Sequence, residues 1–290
     1  MSEYVIITDS SADLSEEQVR DLGVTVLPLN FIIQGKPYRD TPDHGDMGIE
    51  EFYHLIREGE PSTTNAVNVT RYEEVMLPIL KAGKDILVLA FSSGLSSTCQ
   101  AAVLAAKEMK GLFPGRKVEV VDTLCASMGQ GLLVWYAASL KKEGKSLEEV
   151  RDWCEDNKLK VCHWFTVDDL MHLKRGGRVS ATTAVVGTML QIKPVLHVDN
   201  EGRLINVGKA RGRKASLDAL VDKVGETGID PASQTMFISH SACRKDAEYV
   251  AERIKAKYGA REIVIGNIGP VIGSHTGCGC VALFYIGSKR

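Results

Sequence analysis

Asp85 to Met109 reads DILVLAFSSGLSSTCQAAVLAAKEM. Ile86 to Phe91 is an unbroken apolar run, with the length and composition of a strand buried on both faces. The polar loop Ser92-Ser93-Gly94-Leu95-Ser96-Ser97-Thr98 follows, and then an alanine-rich helix. Ser97 with Gln100 three residues later has the spacing of a capping box and predicts a helix start at about Cys99. A loop that leads from the carboxyl end of a strand into a helix presents backbone N–H groups and a positive dipole end. Four serines and a threonine, with no acid, base or thiol before Cys99, are chemistry for holding an anion.

Outward from this unit, strands and helices alternate. Tyr4 to Thr8 is a strand leading into Asp9-Ser10-Ser11-Ala12-Asp13-Leu14, and Ser15 with Gln18 caps a helix that stops at Gly23. Val24 to Ile33 reads as one strand interrupted by Pro28. Gly48 to Glu58 reads as a helix behind Asp46. The stretch 61–68, PSTTNAVN, reads as a second hydroxyl-rich loop, and Thr70 with Glu73 as the cap of the next helix. Val118 to Val121 is a strand, a helix runs from about Ser127 to Lys142, and Ser146 with Glu149 caps another. This alternation predicts a parallel sheet with helical crossovers. The loops at 8–11, 92–98 and 122–127 then share the carboxyl edge, where open α/β sheets take ligands.

From about residue 160 the texture changes. Val161 to Val167 reads as a strand and 168–180 as a short helix broken at Gly176-Gly177. Ile192 to Val198 and Leu204 to Lys209 form a hairpin. Helices at 213–225 and 243–258 alternate with strands at 235–239 and 262–268, and a glycine-rich turn, 269-GPVIGSHTGCG-279, leads to a last strand, Val281 to Ile286. The predicted fold class is α/β, with an N-terminal parallel-sheet α/β domain over 1–159. A second, α+β domain over 160–290 has a mixed, partly antiparallel sheet, and the ligand is expected between the two.

Composition narrows the function classes. In 290 residues there are 35 lysines and arginines against 37 acidic residues, which removes the basic footprint of a nucleic-acid binder. No apolar run approaches the ~18 residues of a spanning helix, so membrane contact is at most transient. The start, MSEYVIITDSS, lacks the basic and apolar regions of a signal peptide, and the seven scattered cysteines form neither a disulfide framework nor a zinc site. A cytoplasmic protein without a metal is the expectation. The basic clusters Lys174-Arg175-Gly176-Gly177-Arg178 and 209-KARGRK-214 read as solvated faces. Neither phosphate-loop nor dinucleotide glycine patterns occur.

Two histidines stand out. His275 lies among glycines that let a ligand approach the backbone, and His240 follows a strand in a weaker version of the same setting. Ser93 lacks the paired glycines of a nucleophile elbow, so an enzyme using Ser93 and His275 on an acyl or phosphoryl substrate is the alternative reading.

Taken in order, Ile7-Thr8-Asp9-Ser10-Ser11-Ala12-Asp13-Leu14, Thr63-Thr64-Asn65, Ser92 to Thr98, Gly176-Gly177-Arg178, Ile192-Lys193-Pro194-Val195-Leu196 and Gly269 to Gly277 resemble the motifs of DegV proteins, the fatty-acid-binding subunits of bacterial fatty acid kinase. The resemblance covers nearly the whole chain. It implies a non-catalytic carrier that buries a long-chain fatty acid between two domains. The carboxylate would be held by Thr63, Ser93 and His275, with Thr64, Ser92 and Gly273 as secondary binding-loop candidates. A separate ATP-dependent kinase would phosphorylate the carboxylate to an acyl phosphate for phospholipid synthesis, docking at Arg211. The chain differs from the family pattern at Thr64-Asn65, at Ser97 and Cys99, and at Cys278 and Cys280. Neutral hydroxyls and an imidazole would fix the head group without a buried counter-charge, leaving its oxygens nucleophilic.

Overall fold

The computed structural model describes residues 3–179 and 191–290. Strand β6 (Asp85–Ala90) is buried at every position. It lies between β1 (Tyr4–Asp9) and β7 (Val118–Asp122) in a four-stranded parallel sheet of order β2-β1-β6-β7, with β2 (Thr25–Leu27) at one edge. Alternate β6 side chains enter two different cores. Ile86, Val88 and Ala90 pack with helices α3 (Val69–Lys81) and α4 (Thr98–Leu112), while Leu87 and Leu89 face the opposite core. With both faces covered, the strand has no wet side, hence its unbroken apolar sequence.

Helix α5 (Met128–Lys142) fills that opposite core. Its first seven residues, Met128 to Val134, are all buried. One cluster joins Leu132, Leu133 and Ala137 to Ile6 and Leu89 of the first sheet and to Phe165, Phe237 and Phe284 of a second. A helix segment without a solvated face belongs inside a protein, and this part of α5 is wedged between two sheets, its one polar side chain, Gln130, bonded to Ser11 and Thr8. Gly129 marks the closest approach: a Cβ there would lie 2.2 Å from His163 Nε2 and 2.7 Å from the Phe284 ring.

The second sheet has the order β10-β9-β8-β13-β11-β12, from β8 (Val161–Thr166), β9 (Ile192–Val198), β10 (Leu204–Arg211), β11 (Thr235–His240), β12 (Glu262–Asn267) and β13 (Val281–Ile286). Its pairings are antiparallel except β11 with β12. Helices α8 (Arg213–Thr227) and α9 (Arg244–Tyr258) cover its far face. The strands divide where the sequence changes texture, but the core does not, because α5 belongs to both sheets. Helices α1 (Glu16–Leu22) and α6 (Leu147–Asn157) carry the capping boxes read from Ser15 and Ser146.

A third sheet differs from the sequence reading. The run 24–33 is two strands in two sheets, β2 and β3 (Asn30–Ile33), separated at Pro28-Leu29. Strand β3 pairs with β4 (Lys36–Arg39) and with β5 (Ser62–Asn65), the latter lying inside the stretch read as a loop. Sequence STTN has no apolar residue, so no hydrophobic period could announce it. Helix α2 (Ile49–Arg57) covers this sheet through Phe31, Ile33, Phe52 and Tyr53. Helix α3 is capped by Asn68, which accepts from Arg71 N–H at 2.8 Å, in place of Thr70. Helix α7 (Met171–Arg175) ends at Gly176 as read, and Ser180 lies outside the described residues. The glycine-rich turn is in part a short helix, α10 (Pro270–Thr276), with proline at its first position. No helix among the described residues is long and apolar enough to cross a membrane.

Gly129→Ala tests the wedge. Alanine favours an isolated helix by up to about 1 kcal/mol over glycine, yet here its methyl meets His163 and Phe284. The variant is expected to unfold at lower urea concentration than the parent. An increased midpoint would mean that α5 is not clamped between the sheets.

Candidate functional site

A cavity of about 280 Å³ opens between the first two sheets, close to the lower end of ligand-pocket volumes, ~300 Å³. Ala126 and Ser127, just before α5 begins, line it, so it occupies the same gap that α5 fills farther along. Its walls are largely hydrocarbon, including Phe91, Leu95, Phe165, Val198, Leu204 and Phe284. Polar groups enter from Thr64, Asn65, Ser96, Ser97, Arg178, His275 and Thr276, and also from Ser127 and His163.

Strand parity explains which threonine is present. Along β5, Ser62 and Thr64 are half-buried while Thr63 and Asn65 are exposed, as successive side chains point to opposite faces. The inward pair meets α10: Thr64 Oγ1 lies 2.9 Å from His275 Nε2, and Ser62 Oγ 2.7 Å from Ser274 Oγ. Thr63 points away and does not line the cavity.

The loop after β6 also differs from its sequence reading. Ser93 is exposed, outside the cavity lining, and its N–H donates to Asp122 Oδ1 at 3.1 Å. Ser92 is buried; its hydroxyl donates to Gly202 O at 2.8 Å and accepts from Gly94 N–H at 3.1 Å. It fastens the β9–β10 turn onto the loop. Gly202, at φ +72, sits so close that a Cβ would be 2.1 Å from Ser92 Oγ. Ser97 occupies the N-cap position of α4 but makes no side-chain cap bond. Ser96 does that work, accepting from Thr98 N–H at 3.2 Å and lying 2.9 Å from Thr98 Oγ1. The spare hydroxyl is therefore that of Ser97. Gly273 faces α2, where a Cβ would be 2.6 Å from Tyr53 Oη, so its smallness serves helix packing. The structure does not bring Ser93 to His275, as the Ser/His enzyme reading requires.

His275 is enclosed by α7 and β5. Its Nδ1 packs over Gly176, where any Cβ would come within 2.2 Å, and has no hydrogen-bond partner among the described residues. Burial, and secondarily the charge of Arg178, push its pKa down to about 4, so the ring is neutral at physiological pH. Arg178 was missed by sequence reasoning, which placed it on a solvated face and expected no counter-charge. Its Nε and Nη2 donate to Leu95 O at 3.2 and 3.0 Å, and Nη1 to Gly176 O. No carboxylate pairs with it among the described residues, and burial lowers its pKa. The signal was Gly176-Gly177: Gly177, at φ +71, turns the chain so that the next side chain folds back over the loop. Arg211 is exposed at the end of edge strand β10, opposite Ile192 and away from the cavity lining. Among the described residues no group of three or more His, Cys, Asp or Glu is placed to hold a metal ion.

Fold and site define a class: an α/β protein with an apolar chamber between two sheets and one polar end. The family model described as an uncharacterised protein of the DegV family matches residues 3–288. A DegV domain-containing protein of Clostridium perfringens is 46% identical over 290 residues, 100% of this chain and 99% of the relative. Among solved structures, a DegV family protein from Thermus thermophilus described for fatty acid binding superposes with a TM-score of 0.88 at 33% identity, covering 99% of this chain and 100% of that one. DegV from Bacillus subtilis, described as a fatty acid binding protein, gives 0.85 at 26% identity, covering 99% and 100%. This chain belongs to the DegV family.

The lowered pKa has a direct check. The folded state disfavours protonated His275, so its contribution to stability is present above the ordinary value of 6.5 and is lost as pH falls toward about 4. Imidazole NMR is expected to show His275 neutral down to about pH 5. Titration near 6.5 would mean that the ring is solvated.

Proposed function

We propose that this protein binds a long-chain fatty acid in the chamber between its sheets and presents the carboxylate to a separate ATP-dependent kinase. The observation that carries the proposal is the pairing of a hydrocarbon-lined cavity with one polar end built from Thr64, Ser96, Ser97, Arg178 and His275. That DegV relatives from Thermus thermophilus and Bacillus subtilis are described as fatty-acid binding supports it.

The energetics suit a carrier. About fifteen methylenes leaving water gain on the order of 12 kcal/mol at about 0.8 per CH2. Ordering the chain and losing overall freedom offset much of this, and the remainder gives tight binding. At the head group, the hydroxyls of Thr64 and Ser97 donate to the carboxylate. Arg178 has its N–H groups directed at Leu95 O and Gly176 O, so it acts mainly through its field rather than as a bidentate fork. A neutral His275 orients Thr64 without adding a second charge. The carboxylate oxygen then remains free to attack the γ-phosphorus of ATP held by the kinase, forming the acyl phosphate as ADP leaves. Arg211, exposed on β10, is the proposed kinase contact, and the carrier itself contributes no catalytic residue.

Native and denaturing mass spectrometry of the purified protein are expected to show a non-covalently bound fatty acid. Thr64→Val and His275→Ala are expected to weaken retention about tenfold or more, the scale of a hydrogen bond to a charged group. Thr63→Val and Ser93→Ala should leave it within about twofold. A reversed pattern would refute this assignment of the head-group site. Arg211→Ala is expected to keep its lipid and to lose phosphorylation by the kinase; lipid loss with normal coupling would put the arginine in the wrong role.

A further inference from the structure

The chain enters α10 between two carboxyl groups that the head-group site does not use, Asp40 buried and Asp13 half-buried. Asp13 Oδ1 accepts from Gly269 N–H at 2.9 Å, and Asp40 Oδ2 from Val271 N–H at 3.4 Å. Both border the same space: a Cβ on Gly269 would lie 2.9 Å from Asp13 Oδ1 and 3.2 Å from Asp40 Oδ1. Glycine at 269 is what lets two carboxyl groups approach one backbone. Asp13 also accepts from the Ser127 hydroxyl, which lies 2.9 Å from Ser239 Oγ, so the grip reaches the cavity wall and the second sheet. Tyr53 completes the attachment by donating to Ile268 O at 2.7 Å.

We propose that Asp13 and Asp40 act as one carboxyl pair that positions α10, and through it His275, for ligand binding. The proposal rests on the function above and adds the device that holds its site in shape. Neither acid has a lysine or arginine partner among the described residues. The other titratable groups facing them are Asp9 of β1, Glu17 of α1, His44 after β4, Tyr53 of α2 and Cys280. None supplies a compensating positive charge, since burial pushes His44 further toward its neutral form. Two such carboxyls cannot both ionise cheaply, so a proton stays with the pair. Burial raises Asp13 to about 7, and raises Asp40 well above the carboxylate range with the charge of Asp13 as the second cause.

The sign follows. The N–H bonds from Gly269 and Val271 favour the ionised carboxyls, but burial is the larger effect, so with α10 docked the pair binds its proton more tightly than it does when solvated. Docking is therefore strongest at low pH and weakens as pH rises from about 4 through the raised values. From pH 6.5 upward the imidazole of His275 adds at most about a twofold slope, of the opposite sign.

Hydrogen exchange of the segment 268–276 in ligand-free protein, corrected for intrinsic rates, tests this between pH 6.5 and 8.5. Protection is expected to fall about tenfold or more in the parent, tenfold being what one pKa unit carries. It is expected to stay flat within about twofold in the double variant Asp13→Asn/Asp40→Asn, which keeps the sizes and removes both ionisations. A fluorescent fatty acid analogue, titrated at the same pH values, should lose affinity in the parent and not in the variant. The same slope in both proteins would overturn the proposal. If the double variant does not fold, Asp40→Asn alone is expected to have a shallower slope than the parent, and an unchanged slope would overturn the proposal. A sloping exchange profile with no analogue bound at any pH would leave the carboxyl pair standing and remove the fatty-acid reading.

Discussion

The structure depends on one constraint, the burial on all sides of the first seven residues of α5. A helix without a wet face needs a partner on each flank, and here two sheets supply them. Together they are held apart by the ~10 Å thickness of a helix. Before α5 begins, at Met128, the gap continues, and the residues just before it are among the walls of a chamber. The cavity is what the wedge leaves at its amino end. Glycine at 129 sets how closely the sheets close around the helix, and so the size of what remains beside it.

The polar end of the chamber is a small electrostatic problem. In the proposed function, an anion inside hydrocarbon needs donors, but a strong ion pair would hold its charge and blunt its reactivity. The site divides the task. Arg178 lies nearby with its N–H groups directed at backbone oxygens, Thr64 is bonded to His275 Nε2, and burial keeps the imidazole neutral. Helix α10 carries that imidazole and is itself held by side chains from α2, β5 and the loops after β1 and β4, so the geometry of the head group belongs to the whole amino-terminal half.

Much of the fold was legible. The unbroken apolar run of β6, the capping boxes at Ser15 and Ser146 and the hairpin of β9 and β10 all carry local signals that tertiary contacts reinforce. Strand β5 was not legible, because a strand made of STTN carries no hydrophobic period and is specified by its pairing with β3. The short helix α10 hid behind its glycines, which serve contacts with Tyr53, Asp13 and His172 rather than flexibility. The site was legible as a set of stretches but not as a set of atoms. From the stretches singled out, His275, Thr64, Ser96 and Ser97 line the cavity, and Thr63 and Ser93 do not. Sequence spacing cannot say that Ser92 is spent on Gly202, that Ser96 takes the cap from Ser97, or that Arg178 turns inward.

Strand β5 has a further consequence. Two adjacent threonines are chemically identical, and the one that faces the chamber is decided by whether its position in the pairing with β3 is odd or even. A single-residue insertion or deletion between these strands that shifted the register by one would exchange the inward pair Ser62 and Thr64 for Thr63 and Asn65 or its counterpart. The partner of Ser274 would then change, while a hydroxyl or amide would still face His275. The chemistry of the pocket is thus written in parity as well as in residue type, and composition alone does not conserve it.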